Sequence, residues 1–299
     1  MRLLSTPLLL TASLILGAAL STNARSSDLV AKPDGTDRAS MQSMQIPSHG
    51  ALMNALVYVA AGAGPHPAVI LLHGFPGNER NLDLAQEMRR AGWDVLYFNY
   101  RGSWGTPGDF SFTHGIEDTA AAIAYSRQPE VAKVLRLDPT RIVLIGHSMG
   151  GFMAMQAVAL DPAIKAFATI SAADLGGMYD HIRANEAEST AIKKLAAGLV
   201  EEGMAPLAGC TPSGLARDVA SHAADWRFSA KVDALKNRTT LVITSDDGLA
   251  EPNQAFASAL LKASDGQITS VHLRTDHSYS DQRVELSKAV LQWLAGLPK

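Results

Sequence analysis

A chain of 299 residues with 47% hydrophobic and 18% charged residues can bury a large core, which excludes a disordered protein. A net charge of −3 without a basic cluster leaves no footprint for nucleic acid or an anionic membrane surface. The single cysteine, Cys210, excludes an internal disulfide, and the nine histidines lack zinc-ligand spacing, so neither a metal nor another cofactor is expected.

The N-terminus reads as a targeting segment. Arg2 supplies the positive charge, Leu3 to Leu20 is nearly all apolar or small, and Thr22-Asn23-Ala24 offers small residues for a signal peptidase. Residues 1–24 are therefore expected to be a signal peptide and the protein periplasmic or secreted, with no stable membrane association after cleavage. Retention as an anchor is the alternative, since 18 apolar residues are borderline for a span. Residues 25–43 read as a polar leader, and the folded domain as 44–299.

Ala51 to Ala60 reads as a strand ended by a Gly/Pro-rich turn, and Ala68 to Leu72 as a buried parallel strand. Glu79 to Ala91 has helical periodicity, Asp94 to Tyr100 reads as a strand, and Arg101 to Gly108 as a glycine-rich loop. A helix over 115–128 leads to a strand over 141–145, a helix over 151–160 and a strand over 166–171. The rhythm then breaks. Between about 178 and 238 no strand is expected, and Ile192, Leu195, Ala196, Leu199 and Val200 share one helix face. Strand 239–244, helix 254–262, strand 271–273 and helix 284–294 complete the chain. Strands alternating with helices call for an α/β fold, a mostly parallel sheet covered on both faces, with a helical lid inserted between two late strands.

The chemistry centres on Gly146-His147-Ser148-Met149-Gly150, placed between an apolar strand and a helix. A serine at such a corner is held strained with its hydroxyl projecting from the sheet end, and the glycines remove Cβ atoms that would collide there. Ser148 is the expected nucleophile. Its base should be a histidine oriented by a carboxylate. His277, in the loop after the last strand, is the candidate base; His272 falls inside the strand. Asp247 is preferred as the acid because it lies farther past its strand end, with Asp246 the alternative and Asp174 and Glu251 ranked lower. Backbone N–H groups of Met149 and Phe75 are the expected oxyanion donors. His73 is expected to brace its loop, and Phe75, Trp104, Met149, Met178 and Tyr179 are candidates to line an acyl pocket.

From Met44 onward the chain resembles the α/β-hydrolase superfamily. The resemblance is carried by Leu72-His73-Gly74-Phe75-Pro76-Gly77, Asn99-Tyr100-Arg101-Gly102-Ser103-Trp104-Gly105, Gly146 to Gly151, Asp247 and His277. The two early loops look most like prolyl-oligopeptidase-related and dienelactone-hydrolase-like single-domain members. Pro252 stands five residues after Asp247, one more than the commonest spacing, so the acid is left open between Asp247 and Asp246. The expected function is hydrolysis of a small-molecule ester by acyl-enzyme chemistry, with a small peptidase or amidase as first alternative and a non-catalytic binding protein as second. Dehalogenase and epoxide-hydrolase chemistry would need an aspartate in place of Ser148.

Overall fold

The computed structural model describes residues 37–263 and 267–298. The expected signal peptide and residues 25–36 of the polar leader lie outside the described residues. Two strands, β1 (Ser40–Ser48) and β2 (Ala51–Val59), form an antiparallel hairpin. There follow β3 (His66–Leu72), α1 (Leu82–Arg90), β4 (Asp94–Phe98), α2 (Phe112–Ser126), α3 (Pro129–Leu135), β5 (Leu137–His147), α4 (Met149–Leu160) and β6 (Ala166–Ile170). Next come α5 (Leu175–Arg183), α6 (Glu188–Glu201), α7 (Pro212–Trp226) and α8 (Phe228–Leu235), without an intervening strand. The chain closes with β7 (Thr239–Thr244), α9 (Ala250–Ala263), β8 (Ile268–His272) and α10 (Arg283–Ala295).

All eight strands join one sheet in the order β1-β2-β4-β3-β5-β6-β7-β8. β2 pairs antiparallel to β4, and every pair from β4 through β8 is parallel. Continuous apolar runs suit these inner strands because alternate side chains enter two separate cores. Ile70, Leu72 and Leu144 face a core completed by α2, α4, α8 and α9, whereas Val69, Leu71, Val143 and Ile145 face one completed by α1 and α10. The helix after the Gly-His-Ser turn, α4, is buried from Met149 through Val158. Its nearly unbroken apolar sequence follows from being enclosed on all sides.

Four departures from the sequence reading have physical causes. β1 begins at Ser40, inside the stretch read as polar leader. It is a sheet-edge strand with mostly exposed side chains, so hydropathy does not mark it. Helix α3 is short and opens on Pro129, which resembles a turn in sequence but suits the first helical position. α2 starts at Phe112, not Gly115, because the Ser111 side chain caps the His114 N–H at 3.0 Å. On α6, Val200 is 56% exposed while Ala191 is fully buried, so the packed face is rotated from the one expected.

The helical stretch between β6 and β7 starts at Leu175. Helices α5, α6 and α7 pack on one another, whereas α8 lies against α4 and α9 in the layer that covers the sheet. Among the described residues no helix is long and apolar enough to cross a membrane.

Candidate active site

The C-terminal ends of β3, β5, β6 and β7, with the loop after β8, converge on one edge of the sheet. At the end of β5, Ser148 has φ 56° and ψ −122°. A non-glycine residue in that region is strained and persists only where its surroundings fix it. Here the Ser148 N–H donates to Ile170 O at 2.9 Å, and Ser148 O accepts from Gly151 and Ala173 at 3.0 and 3.1 Å. A Cβ on Gly146 would stand 2.0 Å from Gly150 O, and one on Gly150 would stand 2.1 Å from Leu72 O. The turn can be this sharp only with glycine at both places.

The loop after β3 rests on this turn. A Cβ on Gly74 would lie 2.9 Å from Ser148 Cβ and 3.4 Å from its Oγ. That close approach brings Phe75 into the wall of the cavity onto which Ser148 opens, together with Met149. Met149 is the first residue of α4, where backbone N–H groups lack intrahelical acceptors. His73 is buried, donates from Nδ1 to Gly74 O at 2.8 Å and packs on Tyr97 and Tyr100. Burial pushes its pKa down to about 4, so it is a neutral brace. Trp104, a candidate pocket residue, instead ties this loop down: its indole N–H donates to Pro76 O at 2.7 Å under the Arg80 guanidinium, 4.0 Å from the ring.

The loops after β7 and β8 bring Asp247 and His277 together. His277 Nδ1 donates to Asp247 Oδ2 at 2.7 Å, and the Asp247 side chain is only 3% exposed. That bond fixes the tautomer with Nε2 unprotonated, leaving it able to accept a proton. Burial pushes the Asp247 carboxyl up, but His277, Ser171, the Leu249 N–H and Ser245 outweigh it and hold it well below the usual carboxylate range. The Leu249 N–H donates to Oδ1 at 2.9 Å. Ser171 Oγ is 3.1 Å from Ser245 Oγ and 2.8 Å from Tyr279 OH. Ser171 and Tyr279 both have positive φ, at 45° and 57°, so two strained residues 108 positions apart meet beside this carboxylate.

His147 is a further brace. Its Nε2–H donates to His277 O at 2.8 Å, and the two rings lie 4.6 Å apart. Burial, then the charge of His277, pushes the His147 pKa down to about 3. Neither His147 nor the Ser171-Ser245-Tyr279 cluster was found from the sequence, since each contact requires the register between distant loops.

The other acid candidates are placed elsewhere. Asp246 accepts from His272 Nε2 at 3.0 Å on the surface. Asp174 caps α5 and also accepts from the Phe228 N–H, at 2.9 and 3.2 Å. Glu251 lies exposed in the first turn of α9. Cys210 is half-buried away from Ser148, its thiol pushed up by burial and then by Asp109.

Ser148, His277 and Asp247 open onto a cavity of about 300 Å³ whose remaining wall is mostly apolar, from Phe75, Phe112, Leu175, Met178 and Leu199 among others. Tyr179 is instead buried in helix packing. A smaller cavity of about 140 Å³, lined by Gly74 to Glu79, also reaches Ser148 and His277. Among the described residues no cluster of three or more His, Cys, Asp or Glu could hold a metal ion.

Comparison with known proteins agrees with this architecture. Over 106 residues the chain is 32% identical to the sn-1-specific diacylglycerol lipase ABHD11 of Xenopus tropicalis. That match covers 34% of this chain and 30% of the lipase. An esterase of Pyrobaculum calidifontis superposes with a TM-score of 0.59 at 20% identity, covering 86% of this chain and 84% of the esterase. The acylaminoacyl peptidase of Pyrococcus horikoshii superposes with a TM-score of 0.61 at 16% identity, covering 89% of this chain and 43% of the peptidase. At such identities these likenesses establish the fold alone. The alpha/beta hydrolase fold family model matches residues 67–289, three quarters of the chain, and with the strand order and the strained Ser148 turn it shows that this protein belongs to the α/β-hydrolase family.

Proposed function

We propose that the protein is an exported serine hydrolase that cleaves carboxylic esters through an acyl-enzyme. The observation that carries this reading is the opening of Ser148 onto the same apolar cavity as His277, whose Nδ1 is tied to a buried carboxylate. Ser148 Oγ attacks the ester carbonyl carbon while its proton passes to His277 Nε2. The carbonyl oxygen takes up negative charge, stabilised by the backbone N–H groups of Phe75 and Met149; one such donor contributes about 3 kcal/mol to the transition state. As the tetrahedral intermediate collapses, His277 returns the proton to the leaving alcohol. Water then repeats the cycle on the acyl-enzyme and releases the acid. Asp247 orients the imidazole and stabilises its protonated form. Helices α5 to α7 act as the lid that shields this chemistry from bulk water.

The alternative, a small peptidase or amidase using the same three residues, draws on the resemblance of the two early loops to prolyl-oligopeptidase-related members. Among the described residues lining the cavities it lacks a free pair of carboxylates for an amino terminus, since Glu79 already accepts from the Asn81 N–H at 2.5 Å and faces Arg283. Matched p-nitrophenyl esters and aminoacyl-anilides separate the readings. Ester turnover is expected to dominate; anilide turnover that rivals it would overturn the ranking. Export rests on residues 1–24 and predicts a mature chain beginning at Arg25. Recovery of the uncleaved chain in the membrane fraction would contradict it.

A further inference from the structure

Among the described residues, cations are missing from the walls around Ser148. Neither the larger nor the smaller cavity is lined by a lysine or arginine among the described residues, whereas Asp247, Glu79 and Glu202 contribute carboxylates. Two of these are already engaged: Asp247 by His277, and Glu79 by the Asn81 N–H. Arg80, next to Glu79 in the chain, and Arg283, which binds Ser278 O, are engaged as well. Arg80 lies over the Trp104 ring and donates to Gly77 O at 3.3 Å, and Arg283 binds Asp83, Asn81 and Ser278 O.

Glu202 differs from the other two. It is an exposed residue that lines both cavities, as Phe75, Ser148 and His277 also do, and is the carboxylate shared by the two. It is the C-cap of α6, follows Glu201, and no basic residue occupies that helix's last turn. The C-terminal end of a helix carries partial negative charge and favours a cation, so two successive acidic residues there work against local stability. Their position adds a fixed negative potential beside the cleft.

We infer that Glu202 determines charge specificity: building on the ester-hydrolase reading, the cleft takes esters with one apolar half and a second half bearing a cationic, ammonium-type group, and rejects anionic esters. A carboxylate at a solvent-open rim acts through a screened potential, so the discrimination falls as salt is added.

The test uses two ester series of constant size, one with the charge in the alcohol half and one with it in the acyl half. Each contains a quaternary ammonium, its neutral tert-butyl isostere and a carboxylate. The readout is the ratio of kcat/KM for the cationic over the anionic ester within each variant, so a general loss of activity cancels. In wild type at low ionic strength this ratio is expected to be about ten-fold or more in at least one series. It should collapse towards one in Glu202→Gln and invert in Glu202→Lys. A ratio near one in wild type, or one unmoved by both substitutions, overturns the inference while turnover of the neutral ester leaves the hydrolase reading standing. Wild-type enzyme that leaves the neutral esters intact would instead defeat the hydrolase reading itself.

Discussion

Two adjacent aspartates, Asp246 and Asp247, each hold a histidine from the end of the neighbouring chain segment, and the two pairs have little else in common. His272 Nε2 lies 3.0 Å from Asp246, with 37% and 60% of the two side chains exposed. His277 Nδ1 lies 2.7 Å from Asp247, whose side chain is 3% exposed. The first pair faces solvent, and such pairs contribute about 0–1 kcal/mol to stability. In the second the imidazole is as exposed as that of His272, at 41%, but the carboxylate is enclosed beside hydroxyls from three loops, and the pair lines the Ser148 cavity. Equivalent contact distances therefore conceal different chemistry, and what separates them is desolvation and the fixed dipoles around the carboxylate.

Removing the histidines should break this comparison most visibly. His277→Ala is expected to lower kcat on a neutral ester by at least about 10⁴-fold, whereas His272→Ala should leave it within about two-fold. Comparable losses from both would contradict the assignment. The aspartates give the next largest effect: Asp247→Asn should cost about 10³–10⁴-fold in kcat through the wrong imidazole tautomer, and Asp246→Asn about two-fold at most.

Smaller changes sharpen the role of the surroundings. Tyr279→Phe and Ser171→Ala each remove a hydroxyl from the cluster beside Asp247 and should lower kcat about three- to ten-fold with little change in KM. A matching rise in KM alone would assign them to substrate binding. The smallest effect concerns acid stability. His147 is held neutral in the fold with its pKa at about 3, while the unfolded chain titrates near the ordinary histidine value of 6.5. Between those values the unfolded state binds more protons, so stability is complete above the unfolded pKa and declines as pH falls from there towards the folded value. Each such proton contributes a slope of about 1.4 kcal/mol per pH unit. His147→Gln, which retains an N–H for His277 O, should flatten the wild-type decline in urea midpoint over this window. An unchanged slope would remove His147 from this role.

The same contrast explains what could be read without the fold. Ser148 announces itself because strand, glycines, serine and helix are contiguous, and the inner strands because burial on both faces leaves them apolar. Chain order and strand ends single out His277 and Asp247 as candidates, and the structure brings the two side chains together. Asp247 is preferred over Asp246 in sequence for lying farther past the strand end; which carboxylate turns inward is set by the loop after β7, which no local pattern reveals. The edge strand β1 was obscured by its exposure, and Val200 was misplaced because Ala191 completes the packed face of α6 with less hydrophobicity. Ser171, Ser245, Tyr279 and Glu202 carried no local pattern. Their neighbours come from other loops, and only tertiary structure sets them beside Asp247 or the cavity.

Reaction of the folded protein with a fluorophosphonate, followed by intact mass and peptide mapping, tests whether Ser148 is the nucleophile. One covalent adduct is expected, on Ser148, with labelling abolishing ester turnover and both reactions strongly slowed in His277→Ala. Folded protein that carries no adduct on Ser148, or a Ser148→Ala variant that keeps full ester turnover, would contradict that role.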